Sequence, residues 1–407
     1  MTFRAGWNFL MTPGPTNIPD RVLRAMAQPA LEYAGPDFME LSIGVHEDLK
    51  KIFQTKAEVF IYAANGHGAW EAALSNTLSP GDLVLVPETG QFSNSWSLMA
   101  ESLGLESQYM PGDWRNGVDP SAVERALLDD KDHKIKAVLM VHTDTATSVT
   151  SNVPAVRKAI DAANHPALFM VDTIASLVTT EFRMDDWGVD VTIAACQKGL
   201  MMAPGLSFTA ANDKAREIGK STTIPRNYWN WQTRRGAIHY SWYCGTGPIN
   251  SILGLREALD MIFEETLEGA YARHQRLADA VRAAVGVWGS DGPFELNSLK
   301  VEERANGVTT ILIDDSINVD DLQVLCRDKF NVSLGHGLGK LNGKSFRIGH
   351  MGHINEPMVL GALGSIEIAF NRLGYQHGKG GVPAAIESLS KAYLGNHHAH
   401  STPPYRL

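Results

Sequence analysis

An aspartate and a lysine stand at the ends of two apolar runs in the middle of the chain. Asp172 ends the run ALFMVD, and Lys198 follows the run at 189–195. About 26 residues separate them, which is room for the crossover between two parallel strands. Both would then lie at the C-terminal edge of a parallel sheet, where open α/β folds bind ligands. Pyridoxal phosphate requires a Schiff-base lysine and a carboxylate opposite its pyridinium nitrogen, so the pair points to that cofactor.

Each residue of the pair also has an ordinary interpretation. A lysine that attacks a carbonyl must be neutral, which requires burial. The small and apolar neighbours of Lys198 suit burial, but a surface lysine at a strand end is the commoner case. Asp172 is equally suited to capping a following helix. The cofactor hypothesis therefore depends on what the rest of the chain supplies.

The composition is that of a globular protein without a nucleic-acid or membrane partner. The 407 residues carry a net charge of -9, with 44% hydrophobic and 20% charged residues and no long basic run. Neither a stretch of about 18 apolar residues nor a signal peptide is seen. Three scattered cysteines fit a reducing compartment. We expect a cytoplasmic protein without a metal site, and we assign His397, His398 and His400 to a solvated terminus.

The order of elements predicts an α/β fold. Apolar strands alternate with helical segments up to about residue 265, which is typical of a mostly parallel, doubly wound sheet buried on both faces. A long helical segment then leads to a smaller C-terminal α+β unit. The predicted parts are an irregular N-terminal arm at 1–19, a large cofactor-binding domain at 20–265, a small domain at 266–377 and a polar tail at 378–407.

Small, aromatic and basic residues at other strand ends fit the same hypothesis. Asn65, Gly66 and His67 lie between a strand and a helix, where backbone N–H groups suit a phosphate, although a plain tight turn is the alternative. Phe92 follows the next strand and is placed to stack on a ring, unless it packs in the core. Arg347 ends an apolar strand, where a guanidinium suits a substrate carboxylate unless its role is structural.

Together these stretches resemble the class-V, fold-type-I aminotransferases that use pyridoxal phosphate, in particular the serine–glyoxylate and alanine–glyoxylate group. The resemblance extends from about residue 11 to about residue 373. It is carried by PGPTNIPDRVLRAM, ANGHGAWEAALSNTLSPGD, HTDTATSVTS, FMVDTIASL, CQKGLMMAPGLS, YCGTGPIN and FRIGHMG. The PGPTNIP opening and the VD…QKG pair are close to diagnostic of the group.

The resemblance implies a role for each matching residue. Lys198 is the Schiff-base lysine and proton carrier, and Asp172 holds the pyridine nitrogen. The other implied cofactor residues are Phe92, which stacks on the ring, Asn65, Gly66, His67 and Gln197 at the phosphate, Thr145 near the 3-oxygen, and Tyr243 and Thr246, which reach the partner's cofactor phosphate across a homodimer interface. The implied substrate residues are Gly14, Pro15, Tyr33, Thr143 and the carboxylate-binding Arg347.

Two stretches depart from the family pattern and leave the substrate open. HTDT at 142–145 stands where relatives read HNET or HGES, and EYAG at 32–35 stands where relatives often carry His-Arg. We expect transfer of an amino group from serine or alanine to a small 2-oxo acid such as glyoxylate. The alternatives are another donor, either aspartate or pyridoxamine with pyruvate as acceptor, or a lyase or desulfurase of the same fold. A desulfurase requires a catalytic cysteine near the site.

Overall fold

The computed structural model describes residues 5–236 and 239–394. Its strands are β1 Phe9–Met11, β2 Glu58–Tyr62, β3 Leu83–Pro87, β4 Glu106–Met110, β5 Ile135–Val141, β6 Thr143–Asp144, β7 Val149–Thr150, β8 Leu168–Asp172, β9 Val191–Ala195, β10 Ser207–Ala211, β11 Glu295–Leu296, β12 Val308–Leu312, β13 Val332–His336 and β14 Ser345–Gly349. Its α-helices are α1 Asp20–Met26, α2 Pro36–Phe53, α3 Gly66–Thr77, α4 Gln91–Ser102, α5 Pro120–Asp129, α6 Val153–Ala162, α7 Asp213–Ile218, α8 Ile249–Glu265, α9 Leu267–Trp288, α10 Val319–Phe330, α11 Glu356–Leu373 and α12 Gly381–Leu394.

A seven-stranded sheet organises the larger part of the chain, in the order β2-β10-β9-β8-β5-β3-β4. Within it, β10 runs antiparallel to both of its neighbours, and the other pairings are parallel. Successive residues of a strand face opposite cores, as Phe169 and Met170 do. Because helices cover both faces, every position of these strands favours an apolar side chain. The predicted α/β fold, with its smaller C-terminal unit, is confirmed.

The connection between β8 and β9 differs from the expected crossover. The two strands are adjacent and parallel, and Asp172 is in register with Ile193. Residues 173–190, all of which the structure describes, form turns and contain no α-helix. Their threonines, aspartates and β-branched residues favour turns over helix. The crossover is therefore non-helical, but it still leaves Asp172 and Lys198 at the same edge of the sheet.

A five-stranded sheet in the order β1-β13-β14-β12-β11 forms the C-terminal unit. β1 pairs in parallel with β13, so the N-terminal arm contributes an edge strand to the C-terminal sheet. The arm predicted to be irregular at 1–19 is thus a strand at Phe9–Met11, because its prolines begin only at Pro13. Residues 1–4 lie outside the described part of the chain.

The last helices differ from expectation in two places. The long helical segment is broken at Thr266, whose φ is 69° and whose side chain accepts a hydrogen bond from the Gly269 N–H. Residues assigned to a tail beginning at 378 instead form α12, and its Ala385 and Leu389 are buried in the C-terminal core. The tail histidines lie outside the described residues. The boundaries of the four predicted parts stay a prediction.

Three general properties bear on function. Within 5–236 and 239–394, the helices are too short or too polar to cross a membrane. The same residues contain no group of three or more histidine, cysteine or acidic side chains that could hold a metal ion. The cysteines at 196, 244 and 326 are unpaired.

Candidate active site

Asp172 is the last residue of β8, and its carboxylate is held from two sides. Its Oδ1 accepts the Ile174 N–H at 2.7 Å, and its Oδ2 accepts the indole N–H of Trp70 at 3.0 Å. Burial raises the pKa of Asp172 to about 7, and the two donors oppose that shift because they favour the ionised form. The carboxylate is therefore fixed in direction and titrates near neutrality.

Lys198 lies three residues beyond β9, beneath the N-terminal arm. Its ammonium donates to the Pro13 carbonyl, and its backbone carbonyl accepts the Thr16 hydroxyl at 3.3 Å. Burial and the nearby Arg347 guanidinium lower the pKa of Lys198 to about 8, against the pull of the Asp172 carboxylate. Such an amine has a sizeable neutral fraction near neutral pH, which nucleophilic attack on a carbonyl requires.

Gly14 packs directly against the Lys198 side chain. Its φ is 92°, in the left-handed region, and a Cβ there would lie 2.6 Å from Lys198 Nζ. A cis peptide bond joins it to Pro15. The predicted substrate residues Gly14 and Pro15 are thus placed over the lysine, and only glycine leaves room for its amine.

The substitution Gly14→Ala is expected to slow the reaction of Lys198 with pyridoxal phosphate by at least about 10-fold, because its Cβ would displace the amine from its attack position. The measurement is the rate of borohydride-trapped label on Lys198. Gly6→Ala is the matched control, since Gly6 has a similar φ of 87° but nothing within 4 Å of an added Cβ. Wild-type labelling kinetics in Gly14→Ala would contradict the contact.

A cavity of about 240 Å³ opens in front of Asp172 and Lys198. Most of the predicted site residues line it, namely Asn65, Gly66, His67, Phe92, Thr143, Thr145, Asp172, Gln197 and Lys198. The sequence analysis missed Trp70, Ile174 and Ala175, which also line it. Trp70 lies one helical turn after Gly66, on the same face of α3. That spacing is the only sequence signal that could have identified it.

The turn before α3 is a capped helix start. The Asn65 side chain accepts the His67 N–H at 3.1 Å and the Gly68 N–H at 3.4 Å, as an N-cap residue does. We expected His67 to offer its backbone to a phosphate, but that N–H is already committed to Asn65. The backbone contribution of this turn to a phosphate thus rests on Gly66, and His67 contributes its ring to the cavity wall.

Asp144 anchors the helix that carries Phe92. Phe92 lies in the first turn of α4, not in the preceding loop, and its N–H donates to Asp144 Oδ2 at 2.8 Å. Asp144 Oδ1 accepts the Ala146 N–H at 2.9 Å. A Cβ on Gly90 would lie 2.6 Å from this carboxylate. Within the departing stretch at 142–145, Thr143 lines the cavity, whereas Asp144 does not and instead holds the start of α4.

Arg347 lies on β14 of the C-terminal sheet and is 7% exposed. Its Nε donates to the His336 carbonyl at 2.6 Å and its Nη1 to the Thr145 carbonyl at 2.9 Å. Burial lowers its pKa to about 10, so it stays positively charged. These bonds give it the structural role considered as an alternative. They also fix its charge beside Lys198, as carboxylate binding requires.

Six predicted residues are not among those that line the cavity: Gly14, Pro15 and Arg347, described above, and Tyr33, Tyr243 and Thr246. Tyr243 is buried, and its hydroxyl donates to Ser42 Oγ at 3.0 Å. Tyr33 is 47% exposed and stands 5.7 Å from the Tyr240 ring, between centroids. Thr246 is exposed, as a residue that reaches a partner must be. The roles implied for Tyr33, Tyr243 and Thr246 stay predictions.

The cysteines do not offer a nucleophile to the cavity. Cys196 precedes the lysine segment but is buried, with its Sγ 3.0 Å from the Ala203 carbonyl, and burial raises its pKa to about 11. Cys326 lies in the C-terminal core. Cys244 is not among the lining residues. This arrangement disfavours the desulfurase alternative, which requires a thiolate near the site.

The donor set fits pyridoxal phosphate. A carboxylate and a primary amine share one cavity, which matches the ring nitrogen and the carbonyl of the cofactor. An aromatic side chain, Phe92, lines the same space. Gly66 at a helix N-terminus and the Gln197 side chain suit the phosphate.

Comparison with known proteins gives a consistent result. Residues 8–351 match the family described as aminotransferase class-V. The chain is 42% identical to serine–glyoxylate aminotransferase of Methylorubrum extorquens, over 95% of this chain and 97% of that protein. It is 37% identical to L-aspartate–glyoxylate aminotransferase of Paracoccus denitrificans, over 93% and 96%. The crystal structure of ureidoglycine–glyoxylate aminotransferase from Bacillus subtilis superposes with a TM-score of 0.87 at 26% identity, covering 96% of this chain and 100% of that one.

Proposed function

The chain belongs to the class-V aminotransferases, and from that premise we propose that it transfers the amino group of serine to glyoxylate with pyridoxal phosphate as cofactor. The membership confirms the resemblance read from the sequence. The observation that carries the proposal is the placement of Asp172 and Lys198 in one cavity, with the charge of Arg347 beside them. Serine is proposed before alanine because the relative that is 42% identical, and is matched over 97% of its length, is named as a serine–glyoxylate aminotransferase.

Each residue of the site has a separate role in the reaction. When bound, the cofactor supplies an electron sink for the bond broken at the substrate Cα. Asp172 keeps the ring nitrogen protonated through a charge-assisted hydrogen bond. Lys198 Nζ takes the proton from Cα, because its neutral amine is within the cavity. Gly66 and Gln197 hold the phosphate, Phe92 packs on the ring, and Arg347 orients the substrate carboxylate.

The lining supports a small, uncharged donor side chain. Thr143 and Thr145 line the cavity. Their hydroxyl-bearing side chains suit the hydroxymethyl group of serine. Among the described residues that line the cavity, Lys198 is the only lysine or arginine. Aspartate would bring a second carboxylate, and Arg347 is already assigned to the first. Aspartate is therefore the weaker candidate, although one relative is named for it.

A half-reaction screen tests the proposal. The protein loaded with pyridoxal phosphate is mixed with serine, alanine or aspartate, and both the loss of its visible absorbance and the 2-oxo acid formed are followed. We expect serine to react fastest and glyoxylate to restore the absorbance. Faster reaction with aspartate would overturn the donor assignment. Reaction with pyridoxamine alone, or with no amino acid, would overturn the proposed function.

The substitution Arg347→Lys is expected to raise KM for serine about 10- to 100-fold, because a bidentate charge-assisted contact is lost. The dissociation constant for pyridoxal phosphate should change less than about 3-fold, since the cofactor contacts lie elsewhere. Arg282→Lys is the control. The Arg282 side chain is 10% exposed, and its bonds go to Ala305 and Asp279. Unchanged KM in Arg347→Lys would show that the residue is only structural.

We also propose a cytoplasmic homodimer. Met39 and Ile43 lie one turn apart on α2 and are each 42% exposed, which gives an apolar stripe that a second subunit would cover. Buried free thiols at 196 and 326 suit a reducing compartment. Sedimentation equilibrium should give twice the 44.4 kDa chain mass, and full activity of a monomer would contradict the shared site.

A further inference from the structure

We propose that Trp70 is a positioning residue for the cofactor, whose indole N–H keeps the Asp172 carboxylate ionised and aimed at the ring nitrogen. The inference rests on the proposed function, because it concerns the contact between Asp172 and bound pyridoxal phosphate. It names a second residue of this chain on which that contact depends.

The hydrogen bond is direct and one-directional. Trp70 Nε1 lies 3.0 Å from Asp172 Oδ2, and both residues are buried. An indole N–H can donate but cannot accept. A protonated Asp172 oxygen could therefore not donate to it, whereas the carboxylate receives a charge-assisted bond. The Ile174 N–H occupies the other oxygen, so the two donors fix the plane of the carboxylate.

The Trp70 ring is itself held by other residues of the site. It stacks on Trp96 of α4, with centroids 5.6 Å apart and planes at 13°. The His67 ring lies 4.5 Å from it and the Phe92 ring meets it edge-on at 6.4 Å, both measured between centroids. The side chain of Trp70 thus contacts two rings that line the cavity, those of His67 and Phe92, and the carboxylate assigned to the ring nitrogen. A shift of this ring would move all three.

Trp96 provides a comparison within the same cluster. It is as buried as Trp70, but its Nε1 has no hydrogen-bond partner among the described residues. The two indoles therefore share their packing and differ in the bond to Asp172. Replacing either with phenylalanine removes similar volume, and only Trp70→Phe removes a donor from the carboxylate.

The experiment compares two ligands on three proteins. Dissociation constants of the apo forms of wild type, Trp70→Phe and Trp96→Phe are measured for pyridoxal phosphate and for its 1-deaza analogue, in which a carbon replaces the ring nitrogen. We expect Trp70→Phe to weaken pyridoxal phosphate about 10-fold, as for a hydrogen bond to a charged group, and the analogue less than about 2-fold. Trp96→Phe should change both ligands equally.

Equal losses for both ligands in Trp70→Phe would overturn the inference, because a purely structural role does not distinguish the ring nitrogen. A wild-type protein that binds the two ligands equally would instead overturn the proposed cofactor contact of Asp172, and the inference with it.

A second measurement keeps Trp70 intact, in case Trp70→Phe does not fold. The indole ¹H–¹⁵N resonances of the wild-type and Asp172→Ala apo-proteins are compared. We expect one indole proton to move upfield when its acceptor is removed. An unchanged set of indole resonances would overturn the inference.

Discussion

Lys198→Ala is expected to lower kcat for serine–glyoxylate transamination by at least about 10³-fold, because it removes both the covalent attachment and the general base. The variant should also fail to retain label after borohydride treatment. In the wild type, labelling by pyridoxal phosphate should accelerate as the pH rises through about 8, the lowered pKa of this lysine, because only the neutral amine attacks. Steady-state kinetics and labelling stoichiometry check these outcomes.

Lys214→Ala is the control for that variant. Lys214 belongs to the same sheet region but pairs with Asp190 away from the cavity. It should keep wild-type activity within about 2-fold, because its ammonium bonds only to Ala167 and Asp190, neither of which lines the cavity. A Lys198→Ala protein that retained a tenth or more of the wild-type kcat would rule out the assigned role.

Asp172→Asn is expected to reduce kcat by about 10²- to 10³-fold, because an amide cannot balance the positive charge on the ring nitrogen. The fold should survive, since the amide has nearly the size of the carboxylate. Asp190→Asn is the control. Asp190 is a buried carboxylate directly before β9, and it accepts the Phe169 N–H and the Asn212 side chain. The Asp190→Asn protein should be less stable than wild type but should have the wild-type kcat. Equal kcat losses in the two variants would contradict a catalytic role for Asp172.

The pH dependence of stability tests the raised pKa of Asp172 separately from its role in catalysis. The folded pKa of Asp172 is raised by burial from 3.8 to about 7. The native state therefore holds this proton longer than the unfolded state, and ionisation costs stability as the pH rises from about 4 to 7. Asp172→Asn removes that cost. The melting temperature of its apo-protein should thus rise relative to wild type over this range and level off above it. A difference independent of pH would contradict the raised pKa.

The position of the Asp172–Lys198 pair was predictable because it follows from two short stretches of sequence. Two apolar runs that are buried on both sides must be central strands, and the polar residues after them must meet at one sheet edge. The same reasoning selected Phe92 and Gly66, which line the cavity, and their roles stay predictions. The ends of these strands can thus be predicted from the sequence alone.

The partners of these residues were not predictable, because they depend on which elements meet in space. The bond from Trp70 to Asp172 joins residues 102 positions apart. Asp144 reaches the N–H of Phe92 across 52 positions. The pairing of β1 with β13 joins residues more than 300 positions apart, such as Phe9 and Val332. The Asn65 cap involves only neighbouring residues and could be predicted. Its side chain, however, competes with a phosphate for the same backbone N–H groups, and the sequence does not show which of the two accepts their hydrogen bonds.

The most direct test of the central claim is to locate the reduced cofactor on the wild-type chain. Purified protein is loaded with pyridoxal phosphate, reduced with borohydride and digested, and the labelled peptide is identified by mass spectrometry. A single adduct on Lys198, suppressed when serine is added before reduction, is the predicted result. An adduct on another lysine, or none at all, would show that the cavity in front of Asp172 and Lys198 is not the cofactor site.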